Sequence, residues 1–391
     1  MTMETQAGDP GAFADFDLGR VPSPCFVVDE VKLDANLAAL ADVAQRSGAS
    51  MYAALKAFAM WSLAPNVSRS LSGTCTSGLW EARLANEKYD GTVVTYAAAF
   101  RPHEVDELLD LSDHIIFNTP RQHDRFRTNI EAARARGRKI SVGLRINPEH
   151  SEVETPRYDP AAPGSRLGTP ISQLTDRDFD GVDGVHMHSL CEQGVEPLQR
   201  TWEAVAPALA RWTDRLRWIN LGGGHHITRA DYDRATLVDL VGSIRAETHC
   251  DVHLEPGEAI ALDAGILVGE VLDVMENAGH IAIADISATC HMPDVLEAPY
   301  RPALLGESGD VQVRLGGPSC LAGDTIGTYA FERVPEVGQR FAFLDQAHYS
   351  MVKTTTFNGI GLPAIAVWNS DTDELRVVRE FTDDEYQRRL S

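Results

Sequence analysis

Eight short apolar runs alternate with helix-like stretches over the first two thirds of the chain, and this alternation most constrains the fold. Each run has the length of a buried strand, and the stretches between the runs have the length of helices. Strands that alternate with helices form parallel sheets, and eight such units close into a (β/α)8 barrel. The predicted strands lie near Met51–Lys56, Gly73–Ser77, Thr92–Ala97, His114–Asn118, Ile140–Asn147, Val182–Ser189, Arg217–Gly222 and Asp251–Glu255.

The pattern changes after Glu258, where short β runs follow one another with turns and few helices. Such a pattern predicts a mostly antiparallel β domain. The predicted fold class is therefore α/β, a (β/α)8 TIM-like barrel followed by a mostly antiparallel C-terminal β domain. We expect a leader over residues 1–24 that partly joins the β domain, a barrel over residues 25–260 and the β domain over residues 261–391.

Charge and composition narrow the function. The formal net charge of −22 argues against a nucleic-acid partner and suits a cationic small-molecule substrate. No apolar run approaches the roughly 20 residues that span a bilayer, and no signal-peptide pattern opens the chain. The six cysteines are scattered and form no CxxC pair, which indicates reduced thiols and a cytoplasmic location.

The active site of a βα barrel lies where its strands end. The stretch Ala53–Phe58 reads as a buried strand that ends on Lys56, and a desolvated lysine can form a Schiff base with an aldehyde. Gly222–Gly224 follow the seventh strand, where a phosphate site is favoured over a plain flexible turn. A lysine and a phosphate site together suggest pyridoxal 5′-phosphate. Glu255 can keep the pyridine nitrogen of that cofactor protonated, which favours decarboxylation.

Histidines and one cysteine leave alternatives open. His186 and His188 lie two apart on a strand and face the same way, so they are a metal pair, a ring stacked on the cofactor or structural residues. We expect no metal, because no carboxylate or third histidine stands at ligand spacing. His225 and His226 are interpreted as loop contacts. Cys320, in a tight Gly/Pro loop, is either a proton-donating thiol or a buried core cysteine.

Taken together, these residues resemble the fold type III pyridoxal-phosphate decarboxylases. Within that group, they are most similar to the carboxynorspermidine/carboxyspermidine decarboxylases, and the resemblance covers Val21 to Phe381. The set is specific, although each motif singly is not. The motifs that carry it are Ala54–Trp61, Val185–Glu192, Asn220–His226, Glu255–Ala259, Cys290–Glu297 and the loops around Cys320 and Tyr349.

The resemblance implies a role for each matching residue. Lys56 is expected to hold the cofactor covalently, His188 to stack on its ring and Glu255 to pair with its pyridine nitrogen. Cys320 is expected to protonate the substrate carbanion from the other subunit of a homodimer whose active sites lie at the interface. The expected cofactor-binding residues are Lys56, Ser77, Arg145, His188, Gly223, Gly224, Glu255 and Tyr349.

Two departures from the ornithine-type enzymes bear on the substrate. Glu258 stands where those enzymes have an arginine, and Leu321 stands where they have an acidic residue. A longer substrate with more than one amine fits this pattern. The expected function is decarboxylation of carboxynorspermidine or carboxyspermidine, a carboxylated triamine, in polyamine biosynthesis. The expected substrate-binding residues are Glu258, Asp294, Asp324 and Leu321, although Asp294 equally fits a turn.

Three alternatives to this function remain. The first is a decarboxylase of another basic diamino acid in a specialised pathway. The second is a catalytically silent binding protein with the same fold. The third is a metal-dependent barrel hydrolase that uses His186 and His188.

Overall fold

The computed structural model describes residues 8–391, in two compact units. One unit comprises residues 36–260, and the other comprises residues up to Ala35 together with 261–391. Part of the predicted leader, residues 1–7, lies outside the described residues. Within residues 8–391, no helix is long and apolar enough to cross a membrane.

Strands and α-helices occur in the order and at the bounds given next. The strands are β1 (Cys25–Asp29), β2 (Ser50–Ala54), β3 (Gly73–Thr76), β4 (Thr92–Tyr96), β5 (His114–Phe117), β6 (Ser141–Asn147), β7 (Thr169–Pro170), β8 (Gly184–His186), β9 (Trp218–Asn220), β10 (Asp251–Leu254), β11 (Gly265–Glu276), β12 (His280–Ala284), β13 (Val311–Gly316), β14 (Thr325–Phe331), β15 (Arg340–Phe343), β16 (Ala364–Asn369) and β17 (Glu374–Arg379). The α-helices are α1 (Glu30–Ser47), α2 (Ala64–Ser70), α3 (Leu79–Lys88), α4 (Val105–Leu111), α5 (Pro120–Ala135), α6 (Glu196–Leu209), α7 (Arg234–Thr248), α8 (Glu258–Ala261), α9 (Ala288–His291), α10 (Asp294–Glu297) and α11 (Asp383–Leu390).

The unit of residues 36–260 is a closed parallel barrel. Its strands pair in the order β5-β4-β3-β2-β10-β9-β8-β6, and β5 also pairs with β6 and so closes the ring. The two-residue β7 adds to β6 outside the ring. Each barrel strand overlaps one of the eight predicted runs, and only β2 extends beyond its run, by one residue, so the prediction of a (β/α)8 barrel is confirmed. The carboxyl ends of these strands, with the loops that follow them, are called the barrel rim below.

The side chain of Trp218 fills the barrel interior at the amino-terminal end of β9. The indole stacks on the rings of His114 and His253, with 5.3 Å between ring centroids in each pair. A Cβ atom at Gly184 would lie 2.1 Å from the indole, so only glycine fits there. Burial lowers the pKa of His253 to about 3, which keeps its ring neutral beside the indole. The interior is thus filled at this end, and the strands' other ends remain for the site.

The second unit is built on a mixed, mostly antiparallel sheet. Its strands follow the order β14-β13-β12-β11-β1-β16-β17, and β15 pairs with β11. The pairs β1–β16 and β12–β13 are parallel, and the others are antiparallel. The predicted β domain is therefore present. Strand β14 is not among the β runs that the sequence predicts. Gly327 and the glycine-rich loop before the strand make its β pattern hard to recognise.

The start of the chain belongs to this sheet rather than to the barrel. Strand β1 was assigned to the barrel by the predicted boundary at residue 25, but it pairs with β11 and β16. Ahead of it, Phe13 and Phe16 are buried and pack on Trp368, with ring centroids 5.3 and 4.8 Å from the indole. Phe13 and Phe16 of the predicted leader thus belong to a hydrophobic core of the second unit.

Asp263 gives the second unit a pH-dependent stability. Its backbone N–H donates to Asp345 Oδ1 at 2.7 Å, and burial together with the charge of Asp345 raises the pKa of Asp263 from 3.8 to about 6. A carboxyl group whose pKa is raised by folding contributes stability below the unfolded pKa and loses that contribution as the pH rises through the folded pKa. At neutral pH the carboxylate is therefore a net cost.

We expect Asp263→Asn to raise the free energy of unfolding at pH 7.5 by about 1 kcal/mol, since the side chain is only partly buried. The gain should vanish below about pH 4, where the wild-type carboxyl group is protonated. Urea denaturation at both pH values measures it. An equal gain at both would show that the positive φ of 52° at this residue, which asparagine tolerates, is responsible instead.

Candidate active site

Lys56 lies on the barrel rim, in the turn that directly follows β2. The backbone around it is fixed, since Ala54 N–H donates to Pro256 O at 2.9 Å and Leu55 N–H donates to Cys75 O at 3.1 Å. Leu55 and Ala57 are buried, whereas the side chain of Lys56 is exposed in this chain. The expectation of a buried lysine is thus corrected. The turn points the lysine out of the apolar layer, so that it keeps contact with water.

Glu255 is the central charge of the rim. Its Oε1 accepts a hydrogen bond from Asn220 Nδ2 at 2.8 Å, and its Oε2 lies 3.2 Å from His186 Nε2. Burial alone would raise the pKa of Glu255, but His186, Asn220 and the positive charge of Lys56 outweigh it and lower the pKa to about 2. The carboxylate is therefore ionised at any physiological pH.

His186 links Glu255 to two other side chains. Burial lowers the pKa of His186, so the neutral ring presents its Nε2–H to the carboxylate. Its ring stacks on Tyr96 with 5.3 Å between centroids, and the guanidinium of Arg145 lies 4.5 Å from the centre of the same tyrosine ring. Tyr96 in turn donates to Asn118 Oδ1 at 2.8 Å. These contacts fix His186 as a positioning residue for Glu255 rather than as one of a metal-binding pair.

His188 makes different contacts from His186, although the two residues are only two positions apart in the chain. It lies beyond the end of β8, is half-buried, and its Nδ1 accepts a hydrogen bond from Gly223 N–H at 3.0 Å. Burial and the nearby cations Lys56 and Arg145 hold the pKa of His188 well below 6.5. The ring is therefore neutral and carries its proton on Nε2. The structure places this ring on the rim near Lys56 and beside the glycine loop.

The glycines at 222–224 are required by close packing. Gly222 and Gly224 have φ of 73° and 84°, and a Cβ at Gly224 would lie 2.0 Å from Leu190 O. At Gly223 a Cβ would lie 2.1 Å from Glu255 O. The three glycines therefore let the loops after β8, β9 and β10 meet on the rim.

We expect Gly223→Ala to lower the free energy of unfolding by more than about 2 kcal/mol, because the methyl group meets backbone that cannot move aside. Gly242→Ala is the matched control. Gly242 lies within α7 with nothing within 4 Å of its Cβ position, so alanine there should add about 0.5–1 kcal/mol. Thermal or urea denaturation of both variants decides the point, and a Gly223→Ala protein as stable as wild type would contradict it.

The end of β3 is followed by Ser77, one of the predicted cofactor-binding residues. Ser77 is exposed, and its backbone N–H donates to Glu81 Oε2 at 2.6 Å. Cys75 lies near Glu255, and burial followed by the charge of Glu255 raises the pKa of this thiol well above 9.0. Cys75 is therefore an uncharged neighbour of the carboxylate.

Glu258 begins α8, three residues after Glu255. Its Oε2 lies 3.1 Å from His226 Nε2. Glu192, in the loop after β8, joins them, and one ligand atom from each of the three residues lies within 4.8 Å of the others. His226, interpreted from the sequence as a loop contact, thus pairs with Glu258, and Glu192 is a neighbour for which the sequence predicts no role.

The other predicted site residues belong to the second unit. Cys320 and Leu321 are exposed, and Cys320 N–H donates to Asn358 Oδ1 at 2.9 Å. Asp324 is 5% exposed, and its oxygens accept hydrogen bonds from Ser287 Oγ, Thr289 N–H and Ser319 N–H. Because these bonds occupy its oxygens, the predicted contact of Asp324 with substrate is not favoured.

Asp294 and Tyr349 complete the predicted set. Asp294 is the first residue of α10 and pairs with Lys353, which also contacts Glu297. Tyr349 is half-buried, has a positive φ of 36° and packs edge-on against His348. Its backbone is thus held in a region that non-glycine residues rarely adopt, which is common at ligand-binding loops.

Comparisons with known proteins place the chain in a family. The family model described as "Pyridoxal-dependent decarboxylase, C-terminal sheet domain" matches residues 25–347. A carboxyaminopropylagmatine decarboxylase from Synechocystis sp. is 39% identical over 379 residues, 95% of this chain and 96% of the relative. A carboxynorspermidine/carboxyspermidine decarboxylase from Campylobacter jejuni is 36% identical over 385 residues, 95% and 99% of the two chains. The chain belongs to the pyridoxal-dependent decarboxylases.

A solved structure from this decarboxylase family supports the assignment at the level of the fold. The crystal structure of carboxynorspermidine decarboxylase from Campylobacter jejuni, complexed with norspermidine, has a TM-score of 0.86 at 36% identity. It covers 94% of this chain and 100% of that one. The fold type III resemblance stated from the sequence is thus confirmed, and pyridoxal phosphate is the cofactor of the family.

The residues of the rim fit such a cofactor. Glu255 offers an ionised carboxylate for a protonated ring nitrogen. Arg145 Nε is buried and, within residues 8–391, has no hydrogen-bond partner, as expected of a cation that faces an anionic ligand group. The exposed Lys56 amine and the glycine loop lie on the same rim. Sequence reasoning gave no role to Asn220 or Tyr96 and did not connect His186 with Glu255, although the position of all three at strand ends was an available signal.

Proposed function

We propose that this protein decarboxylates carboxynorspermidine or carboxyspermidine to norspermidine or spermidine in polyamine biosynthesis. The observation that carries the reaction type is the half-buried, ionised Glu255, held by Asn220 and His186. The substrate class is supported by the relatives from Campylobacter jejuni and Herminiimonas arsenicoxydans, which carry this activity in their names at 36% and 34% identity. The carboxylates of Glu192 and Glu258, which lie close to each other and to His226, also suit a cationic substrate.

Each predicted cofactor-binding residue has a proposed role. Lys56 would hold pyridoxal phosphate through its amine, and Gly223, Gly224 and Tyr349 would hold the phosphate. His188 would lie against the ring, with Ser77 and Arg145 at its edge. When bound, the cofactor supplies an electron sink for the bond to the departing carboxylate.

Two side chains are proposed to hold or transfer protons during the reaction. Glu255 would keep a proton on the cofactor's ring nitrogen, because a carboxylate with so low a pKa stays charged and would stabilise a protonated nitrogen beside it. The thiol of Cys320 returns a proton to the α-carbon of the substrate after carbon dioxide has left. Asp324 positions the loop that carries this thiol through its hydrogen bond from Ser319 N–H at 3.2 Å.

We further propose a cytoplasmic homodimer with its sites at the subunit interface. The exposure of Cys320 supports the dimer, since an exposed thiol of one copy is available to the other. All six cysteines are free, which is consistent with a reducing compartment. Light scattering of the purified protein measures the oligomeric state, and a monomer that turns over at full rate would exclude a shared site.

A substrate panel tests the proposed function. Carboxynorspermidine, carboxyspermidine, carboxyaminopropylagmatine, ornithine and diaminopimelate are compared by carbon dioxide release. A preference for either carboxylated triamine supports the proposal. A preference for carboxyaminopropylagmatine supports the second candidate, which the 39% identity to the Synechocystis relative favours. No release from any of them would point to a silent binding protein.

We expect Cys320→Ala to lower kcat by about 10²- to 10⁴-fold, the usual contribution of a positioned proton donor. The visible absorbance of the bound cofactor should remain, because the thiol does not hold the cofactor. Cys250→Ala, at a buried cysteine that contacts backbone carbonyls, is the control and should leave kcat unchanged. Unchanged kcat in Cys320→Ala would remove the thiol from the mechanism.

A further inference from the structure

We propose that Asn358 is a positioning residue for the thiol of Cys320. Its side-chain amide holds the backbone of Cys320, and this contact sets the direction from which the thiol returns a proton to the substrate. The inference rests on the function proposed above, and it adds to the reaction a residue for which the sequence predicts no role.

The backbone of Cys320 is bonded to a different segment of the chain from its neighbours in the loop. Ser319 N–H donates to Asp324 Oδ2 at 3.2 Å, and Leu321 N–H donates to Ser319 Oγ at 3.3 Å. Cys320 N–H donates instead to Asn358 Oδ1 at 2.9 Å. A backbone N–H can only donate, so the amide atom that it meets is the oxygen. Asn358 therefore holds the residue that carries the thiol.

The backbone conformation at residue 358 favours asparagine. Asn358 has φ of 58° and ψ of 13°, which lie in the left-handed region. Asparagine, aspartate and glycine adopt this region more readily than other residues. Glycine would keep the conformation and lose the side-chain acceptor, whereas aspartate would keep both. The backbone requirement and the hydrogen bond can therefore be separated by two substitutions.

The segment that carries Asn358 is anchored on α9. Thr355 N–H donates to Cys290 O at 2.8 Å, and Cys290 Sγ donates to Phe357 O at 3.5 Å. Cys290 is buried, so these bonds lie in the interior of the second unit. The residues on the amino-terminal side of Asn358 are thus fixed before its side chain reaches the loop of Cys320.

His291 anchors the other side of this segment. Its Nδ1 accepts from Ser287 N–H at 3.2 Å, so its Nε2 carries the proton and donates to Gly361 O at 3.0 Å. Burial lowers the pKa of His291 to about 4, which keeps the ring neutral. Ser287 Oγ donates in turn to Asp324 Oδ2 at 2.9 Å. The loop of the thiol and the segment that carries Asn358 are therefore both held by α9 and the residue before it.

The position of the thiol decides how the proton returns. When carbon dioxide leaves, the α-carbon keeps the bonding electron pair and takes the proton of the Cys320 thiol. The thiol becomes a thiolate, which regains a proton from solvent. A donor held in one place protonates one face of the substrate, so product formed in D2O should carry deuterium in a single configuration. A donor that moves lets water compete from either face.

The test separates the backbone at residue 358 from its side-chain oxygen. We expect Asn358→Gly to lower kcat by about 10- to 100-fold, because a misplacement of about 1 Å costs that much. KM should stay unchanged, and product formed in D2O should carry deuterium in both configurations, measured by NMR with a chiral reagent. Asn358→Asp should restore most of kcat and the single configuration. Ala278→Gly, at an exposed residue with φ of 52° between β11 and β12, is the matched control and should behave as wild type.

A double substitution tests whether Asn358 acts through Cys320. Asn358→Gly introduced into the Cys320→Ala variant should lower kcat no further, because the donor that it would misplace is already absent. A further loss of the same size as in the single variant would overturn the proposal.

A measurement that does not depend on turnover follows the hydrogen bond itself. Amide hydrogen exchange of the cofactor-loaded protein should be faster over residues 317–321 in Asn358→Gly than in wild type or Asn358→Asp. Wild-type kcat and a single configuration in Asn358→Gly would overturn the positioning role and leave the proposed function intact. Equal losses of kcat and of melting temperature in the glycine and aspartate variants would overturn it in favour of a purely structural role. Absence of carbon dioxide release by wild type from the whole substrate panel would overturn both.

Discussion

Replacement of Lys56 by alanine is expected to abolish turnover, with a fall in kcat of at least about 10³-fold. Lys56 lies in a turn whose backbone is fixed by hydrogen bonds to Pro256 O and Cys75 O, so the barrel sets the point on the rim from which its side chain extends. The variant should also lose the visible absorbance of covalently held cofactor. Because the side chain is exposed, the free energy of unfolding of the cofactor-free protein should change by less than about 0.5 kcal/mol.

Two further variants make the Lys56 experiment decisive. Lys56→Arg keeps the positive charge that contributes to the low pKa of Glu255 but cannot form the covalent bond, so it should be as inactive as Lys56→Ala. Lys139→Ala, at an exposed lysine of the same unit, should behave as wild type. Turnover within tenfold of wild type in Lys56→Arg would show that charge alone suffices and would remove the covalent role.

The second large effect is expected at Glu255. Glu255→Gln keeps the shape of the side chain and an oxygen for the hydrogen bond from Asn220, but it removes the charge that pairs with a protonated ring nitrogen. We expect kcat to fall by about 10²- to 10³-fold, as seen when one preorganised electrostatic partner is removed from a water-excluded site. Steady-state kinetics with the preferred substrate of the panel measures the loss. Retention of full activity would mean that the carboxylate does not control the cofactor.

Glu255 also has a predictable acid response. Its folded-state pKa of about 2 lies below the ordinary value of 4.5, so its contribution to stability is present above 4.5 and is lost as the pH falls through 2. Wild type should therefore lose more stability than Glu255→Gln between about pH 5 and pH 2. Glu107→Gln, at an exposed carboxylate that pairs with Arg83, controls for a surface charge and should track wild type in activity. An identical acid profile for wild type and Glu255→Gln would contradict the low pKa.

Much of the fold could be predicted because the barrel repeats one local signal. Eight apolar runs separated by helix-length stretches mark the eight barrel strands, and their carboxyl ends mark Lys56, Gly223 and Glu255 as neighbours. The place of strand β1 could not be predicted in this way. It looks like one more apolar run before a helix, but its partners β11 and β16 lie more than 200 residues further along the chain. Pairing over such separations leaves no local pattern in the strand itself.

The residues around the predicted site were less accessible to sequence reasoning. The spacing of His186 and His188 suggests a pair with a shared role, yet one bonds Glu255 and the other accepts from Gly223 N–H. Strand β8 ends at His186, and the loop beyond it breaks the alternation on which the spacing argument depends. Likewise, Asp324 resembles a substrate-binding acid in sequence, but it is buried and accepts hydrogen bonds from Ser287, Thr289 and Ser319, of which only Ser319 lies in the loop of Cys320.

By itself, the sequence determined the barrel, the following β domain, and the residue types that a pyridoxal-phosphate decarboxylase requires at the ends of the strands. These follow from periodicity and from motifs that are each local in the chain. Only the tertiary structure decided the charge states of those residues and which side chains lie next to them. The low pKa of Glu255, the exposure of Lys56 and the meeting of Glu192, His226 and Glu258 depend on distances between separate loops. Desolvation and Coulomb interactions depend on distances in space, so they cannot be inferred from the order of residues along the chain.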